Sequence, residues 1–116
     1  MTGRLVHLEL HTPNSARACA FYTGLLAWPF ERVHSRVGSY SALSIGPGIA
    51  AGMVEAEGRR AVWLPYVEVS DVEATVEEAV ALGATVLLDP REGPAGWRAV
   101  VASKDGGPMA FWEPKR

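Results

Sequence analysis

Leu5-Val6-His7-Leu8-Glu9-Leu10-His11 alternates apolar and polar side chains through seven residues. A period of two is the pattern of a half-buried β-strand, whose successive side chains point to opposite faces. His7, Glu9 and His11 therefore share one face with Leu5, and Val6, Leu8 and Leu10 share the other. Three ionisable groups in a row on one strand face suggest a pocket or a metal site. Same-face neighbours on a strand lie ~7 Å apart at their backbones. That spacing makes it hard for all three to reach one ion.

Working outward, Thr12-Pro13-Asn14-Ser15 reads as a turn into a helix from Ala16 to Leu26, with Asn14 or Ser15 as N-cap. Its apolar positions Ala18, Phe21, Tyr22, Leu25 and Leu26 recur at helical spacing, and Pro29 ends it. Three short strands are expected at about 30–36, 40–45 and 49–55, separated by Gly38-Ser39 and by Gly46-Pro47-Gly48. After a polar connector around Gly58 the order begins again. A strand covers 61–70, Asp71 caps a helix over 72–82, and Gly83 closes it. Strands follow at 84–88, 97–102 and 109–113, with a loop expected over 89–96. His7 to Asn14 and Leu64 to Asp71 are each seven residues, which sets His7 beside Leu64, Glu9 beside Tyr66 and His11 beside Glu68. The chain thus reads as an α+β fold of two βαβββ modules, module one about 3–57 and module two about 60–116, in a single domain.

Composition narrows the function. Of 116 residues, 48% are hydrophobic and 21% charged, as in a globular protein, and the net charge of −2 gives no basic surface for nucleic acid. Cys19 is the single cysteine and reads as a small buried hydrophobe, compatible with a reducing compartment. No run approaches the ~20 apolar residues of a membrane span, and no secretory leader is evident. A cytoplasmic protein without membrane or nucleic-acid partners is expected.

The order of several short motifs resembles the vicinal oxygen chelate superfamily, which includes glyoxalase I, extradiol dioxygenases and bleomycin-resistance proteins. These motifs are Glu9-Leu-His-Thr-Pro-Asn14 leading to Phe21-Tyr22, then Leu25-Leu-Ala-Trp28 and Ala51-Gly-Met53. Tyr66-Val-Glu-Val-Ser-Asp71, Leu82-Gly83 and Asp105-Gly106 before Phe111-Trp-Glu-Pro114 complete them. Within the superfamily the chain looks most like the glyoxalase-like branch labelled as hydroxylases, whose domains often occur in tandem pairs. Ala27 stands where this family usually has glycine before Trp28, an exchange expected to need no left-handed backbone. The resemblance implies that each module is a curved half-barrel sheet, that two modules enclose a cup, and that single-length members form homodimers.

The resemblance also implies where a divalent ion would be held, on the first and fourth strands of each module. Those positions fall on His7, near Gly52, on Leu64 and near Ala110, so His7 is the only ligand position retained. One donor of four does not make a site, because metal affinity needs several convergent ligands. No cofactor is expected, and glyoxalase I or ring-cleaving activity is disfavoured. The alternative is a metal held by shifted donors among Glu9, Glu55, Tyr66, Glu68 and Glu113.

The expected ligand-binding residues are His7, Glu9, His11, Tyr66, Glu68 and Trp112. His7 is either a pocket acid–base group or a hydrogen-bonded remnant. Glu9 is either a base or ligand anchor, or simply paired with His7, His11 or an arginine. His11 reads as a rim or loop-anchoring residue. Trp112 and Trp97 are candidate aromatic walls, Trp63, Trp28 and Tyr22 read as packing, and Arg98 reads as either a ligand counter-charge or solvated. Two functions remain open. One is small-molecule binding or sequestration of the bleomycin-resistance kind. The other is a lyase- or isomerase-type enzyme using Glu9 or His7 as base.

Overall fold

In the computed structural model, residues 3–35, 38–58, 60–93 and 96–115 are described. Arg36 of the second expected strand, Arg59 of the connector and Pro94-Ala95 of the expected loop lie outside them. The chain clusters into two compact units, His7–Leu64 and Met1–Val6 with Pro65–Arg116.

The first module runs β1 (Arg4–Thr12), α1 (Ser15–Leu26), β2 (Phe30–Ser35), β3 (Gly38–Leu43) and β4 (Ala50–Glu55). Its strand order is β2-β3-β4-β1, with β1 and β4 parallel and the other pairs antiparallel. The second runs β5 (Val62–Glu68), α2 (Val72–Ala81), β6 (Thr85–Gly93), β7 (Gly96–Ser103) and β8 (Gly107–Pro114). Its order is β5-β8-β7-β6, again with the first and last strands parallel. The two βαβββ modules are as the repeat predicts, down to register. Glu9 pairs with Gly52 in one module, and Tyr66 with Ala110 in the other.

Each helix is fixed by its caps. The Asn14 and Asp71 side chains accept the N–H groups of Arg17 and Ala74, each three residues on. Helix α2 ends in a Schellman motif. The Ala84 N–H reaches the Ala79 carbonyl and the Gly83 N–H that of Val80, with Gly83 at φ 102°. Helix α1 ends differently, through a single bond from the Ala27 N–H to the Thr23 carbonyl with Ala27 at φ 56°. The expectation that alanine here avoids the left-handed region is therefore overturned. A Cβ in that region costs roughly 1–2 kcal/mol, partly offset by the freer unfolded chain that glycine brings. Ala27→Gly is expected to raise the unfolding free energy by about 0.5–1 kcal/mol in a urea titration. A lower midpoint at unchanged slope would contradict this account.

Two apolar clusters hold the modules. Leu10, Cys19, Leu43, Ala51 and Met53 form the first, with Ala18, Tyr22 and Trp63 packed against it. Val69, Val72, Val76, Ala99 and Val101 form the second, with Val67, Trp97 and Phe111 against it. Cys19 is buried as expected, its Sγ 3.7 Å from Met53 Sδ. The Trp63 indole donates to the Tyr22 hydroxyl at 3.1 Å, and Trp28 stacks on Tyr22, so all three are packing residues. The expected inner stripe of α1 is only partly inside. Ala18 and Tyr22 face the core, whereas Phe21, Leu25 and Leu26 are exposed. An apolar arc that wide exceeds the stripe one sheet face can cover. On α2, Val80 is likewise exposed.

Two loops of the sequence reading are strand. Gly38-Ser39 opens β3, and β6 continues from Asp89 through Gly93 despite Pro90. Strand β6 is last in its module's order, and its pairing with β7 shifts between Val86 and Leu88 and again before Arg91. An edge strand with bulges tolerates a proline that an inner strand would not.

Candidate functional site

The helices cover one face of each sheet, and strand alternation assigns the other. In module one the core residues Leu10, Leu43, Ala51 and Met53 point to α1. His7, Glu9 and His11 on β1 and Gly52 on β4 therefore point away from it. Glu9 is the centre of this face, with a side chain only 17% exposed. Its Oε1 lies 2.7 Å from His11 Nε2 and its Oε2 lies 3.5 Å from His7 Nε2. An ionised carboxylate only accepts, so the His11 Nε2–H is the donor of the 2.7 Å hydrogen bond, and His7 stands at ion-pair distance. Backbone spacing kept the three from converging on one ion, yet the side chains span it as a chain in which each carboxylate oxygen addresses a different imidazole. His11 is thus bonded to Glu9 and does not serve as a loop anchor.

Gly52 shapes this face. A Cβ placed there would lie 3.5 Å from His7 Cε1 and 3.6 Å from Nε2. A side chain at 52 would meet His7 at the nitrogen it could share with an ion, and glycine offers no donor. Leu64 and Ala110, at the corresponding positions of the second module, are buried apolar residues. Of the shifted donors, Glu55 and Glu113 are engaged elsewhere. Glu55 accepts both the backbone N–H and the hydroxyl of Ser15 at 3.0 Å, and Glu113 accepts the Val72 N–H at 2.9 Å. Each carboxylate serves the first residue of its module's helix, on the helix side of its sheet. Among the described residues, no three His, Cys, Asp or Glu side chains are gathered to hold an ion. Of the four positions where the superfamily holds its divalent metal, His7 alone carries a donor side chain.

In module two, Ala99, Val101 and Phe111 point to α2, so Tyr66, Glu68, Ala110 and Trp112 face the other way. Pairing sets Tyr66 beside Ala110 and Glu68 beside Trp112. Glu68 makes a 3.8 Å ion pair with Arg4, which is 79% exposed, so the pair is screened and weak. Trp97 lies on the α2 side, and its reading as a pocket wall is corrected. Arg98 does share the face, directly across from Trp112. The sequence reading named Arg98 without Arg91, its cross-strand partner on β6, because Arg91 fell in an expected loop. An open apolar groove lined by Cys19, Ala20, Thr23, Gly24, Phe30 and Arg32 lies on the helix side of module one, away from Glu9.

Two βαβββ modules with these helix-free faces define the vicinal oxygen chelate fold. The family profile of the glyoxalase-like domain matches residues 6–111, and the chain belongs to that family. It is 26% identical over 117 residues to "Putative glyoxylase CFP32" of Mycobacterium bovis and, at the same identity, to its Mycobacterium tuberculosis counterpart. Those alignments cover 94% of this chain and 45% of each relative, so the chain spans about half the length of the curated relatives it matches. Among solved structures, a hypothetical protein from Bacillus halodurans superposes with a TM-score of 0.69 at 19% identity, covering 100% of this chain and 97% of that one. Methylmalonyl-CoA epimerase from Mycobacterium tuberculosis superposes with a TM-score of 0.64 at 16% identity, covering 97% and 88%. At these identities the likeness is one of fold.

Proposed function

We propose that this domain binds a small oxygenated organic molecule on its helix-free sheet faces without a resident metal, as a sequestering or carrier protein. The observation that carries this reading is Glu9 held between His7 and His11 beside the small, buried Gly52. That arrangement offers a hydrogen-bonding polar floor and lacks the donors of an ion site. Glu68 and Trp112 supply hydrogen-bonding and aromatic surface on the second module, and Tyr66 on the same face is buried. The exposed Phe21, Leu25, Leu26 and Phe30 support a homodimer, since large exposed apolar side chains favour cover by another surface. The free, buried Cys19 suits a reducing, cytoplasmic setting.

Native mass spectrometry of the purified protein tests the reading, with a dimer free of stoichiometric divalent metal as the expected species. One ion per chain would overturn the metal-free assignment. A thermal-shift panel of small organic acids and alcohols then supplies a bound molecule. Glu9→Gln is expected to weaken its binding about 10–100-fold, the loss of one charge-assisted hydrogen bond of about 1.5–3 kcal/mol.

A second reading rests on the same Glu9–imidazole chain, because a carboxylate bonded to histidine is also an acid–base pair. It gains support from the fold shared with methylmalonyl-CoA epimerase, an isomerase by name. The bound molecule incubated in D2O separates the two. Loss of a C–H proton signal with wild type, absent with Glu9→Gln, would make the domain an enzyme with Glu9 as base. An unchanged proton spectrum supports binding alone.

A further inference from the structure

We infer that Arg91 and Arg98, with Trp112, form an anion-recognition strip on the helix-free face of module two. The strip takes the carboxylate or phosphate of a ligand whose planar or apolar body lies on the indole. This inference rests on the small-molecule reading above and names the chemical class that such a molecule belongs to.

The strip is a single transverse row. Arg91 on β6 pairs with Arg98 on β7, Arg98 with Trp112 on β8, and Trp112 with Glu68 on β5. Directly paired residues share a face, so all four side chains lie on the side away from α2. Residues directly opposite in an antiparallel pair have Cβ atoms ~4.5–5.5 Å apart, and like charges there repel. Both arginines are exposed, and neither forms an ion pair among the described residues. The acids nearest in sequence and register do not relieve them. Glu92 and Glu113 alternate to the helix side, where Glu113 is bonded to the α2 N-terminus. Glu68, the acid of the row, is two strands from Arg98 and is paired with Arg4.

Arg91 and Arg98, cross-strand partners on one face and without an ion pair among the described residues, therefore supply two planar donors of the kind that grips carboxylate or phosphate oxygens. Trp112 makes the neighbouring surface specific. Gly96, at φ 137°, is required first by the close backbone of Glu113 and Lys115, and a Cβ there would also lie 3.1 Å from Trp112 Nε1. A half-buried indole beside two forks offers one flat apolar contact and one charged end. The arrangement also depends on the β6 register shift before Arg91, without which Arg91 would face α2.

The test uses the full chain and three probes of one shape: phenyl phosphate, phenylacetate and neutral benzyl alcohol. They are titrated while the Trp112 indole N–H and arginine Nε–H resonances are followed by NMR. Both anions are expected to give saturable shifts at Trp112, Arg91 and Arg98, weakened by added salt, and the alcohol none. The relative affinities of phosphate and carboxylate identify the anion. In R91Q/R98Q the affinity for the anions should fall by about tenfold or more, as two charge-assisted contacts are lost. The single variant R98Q should melt no lower than wild type, because it relieves a repulsion, and this shows that lost binding is not lost folding. Equal binding of the alcohol, or anion shifts that persist in the double variant, would overturn the strip. Failure here is distinct from failure of the binding reading. A panel molecule weakened by Glu9→Gln but unaffected by R91Q/R98Q overturns the strip alone. Anion binding lost in R91Q/R98Q supports the strip whatever Glu9→Gln does.

Discussion

Met53→Ala is expected to cost about 2–5 kcal/mol of stability, the range for truncating a fully buried methionine. Met53 is 1% exposed on the helix side of β4, where it pairs with Leu10 on β1 and Ser41 on β3. It thus lies among Leu10, Cys19 and Leu43, with its sulfur against Cys19. Removing three heavy atoms there leaves a cavity that strands on both sides hinder from collapsing. In a chain of this size each kcal/mol moves the melting temperature by roughly 4 °C, so a fall of roughly 8–20 °C is expected by calorimetry. Met53→Leu, which nearly conserves volume, should cost less than about 1.5 kcal/mol. Near-equal loss in both variants would mean that the thioether contact, and not packing volume, is what the site needs.

Glu113→Ala carries the second large effect, about 1.5–3 kcal/mol, through the start of α2. The Val72 N–H is one of the donors that a helix leaves without an intrahelical partner, and Val72 is wholly buried, so water cannot readily replace the carboxylate. The charge also lies at the positive end of the helix dipole. Glu113→Gln keeps an acceptor and loses the charge, so it should fall between wild type and alanine in a denaturant titration. Alanine and glutamine costing the same would place the effect in the charge alone. Glu55 makes the matching contact at α1 but on the exposed surface, and its signature is pH. The Ser15 backbone N–H, then the Ser15 hydroxyl, holds its carboxyl below the usual 4.5, the nearby Arg32 adding to this against slight desolvation. A lowered folded value means a contribution fully present above pH 4.5 and lost as pH falls through that lowered value. Stability of Glu55→Gln should therefore decline less than wild type over that acid range, and parallel curves would remove Glu55 as the cause.

These two carboxylates also show where reading the sequence stopped. Glu55 and Glu113 stood as possible shifted metal donors, near the fourth-strand positions Gly52 and Ala110. Nothing local says that each one bonds a helix N-terminus some 40 residues earlier in the chain. Ala27 is a similar case, since its left-handed backbone follows from where α1 must stop to let β2 begin. Pro90 and Gly93 read as loop by composition, yet the edge position of β6 tolerates both. Arg91 went unrecognised for that reason, and its face depends on a bulge that no periodicity reveals.

The repeat, the caps and the faces are legible in the order of residues. Asn14 and Asp71, each seven residues after its module's first-strand position, specify two βαβββ units. Strict alternation from Leu5 to His11 places His7, Glu9 and His11 together, and the family resemblance implies His7 as the one retained ligand position. These are local properties, set by helix and strand period and by donor chemistry. The partners come from the folded arrangement. It tied Glu9 to both histidines, gave Glu55 and Glu113 to the helix ends, and set Arg91 across from Arg98. Period fixes the side of a sheet on which a residue points. What it meets there depends on register and bulges, and these are settled by pairing between strands far apart in the chain.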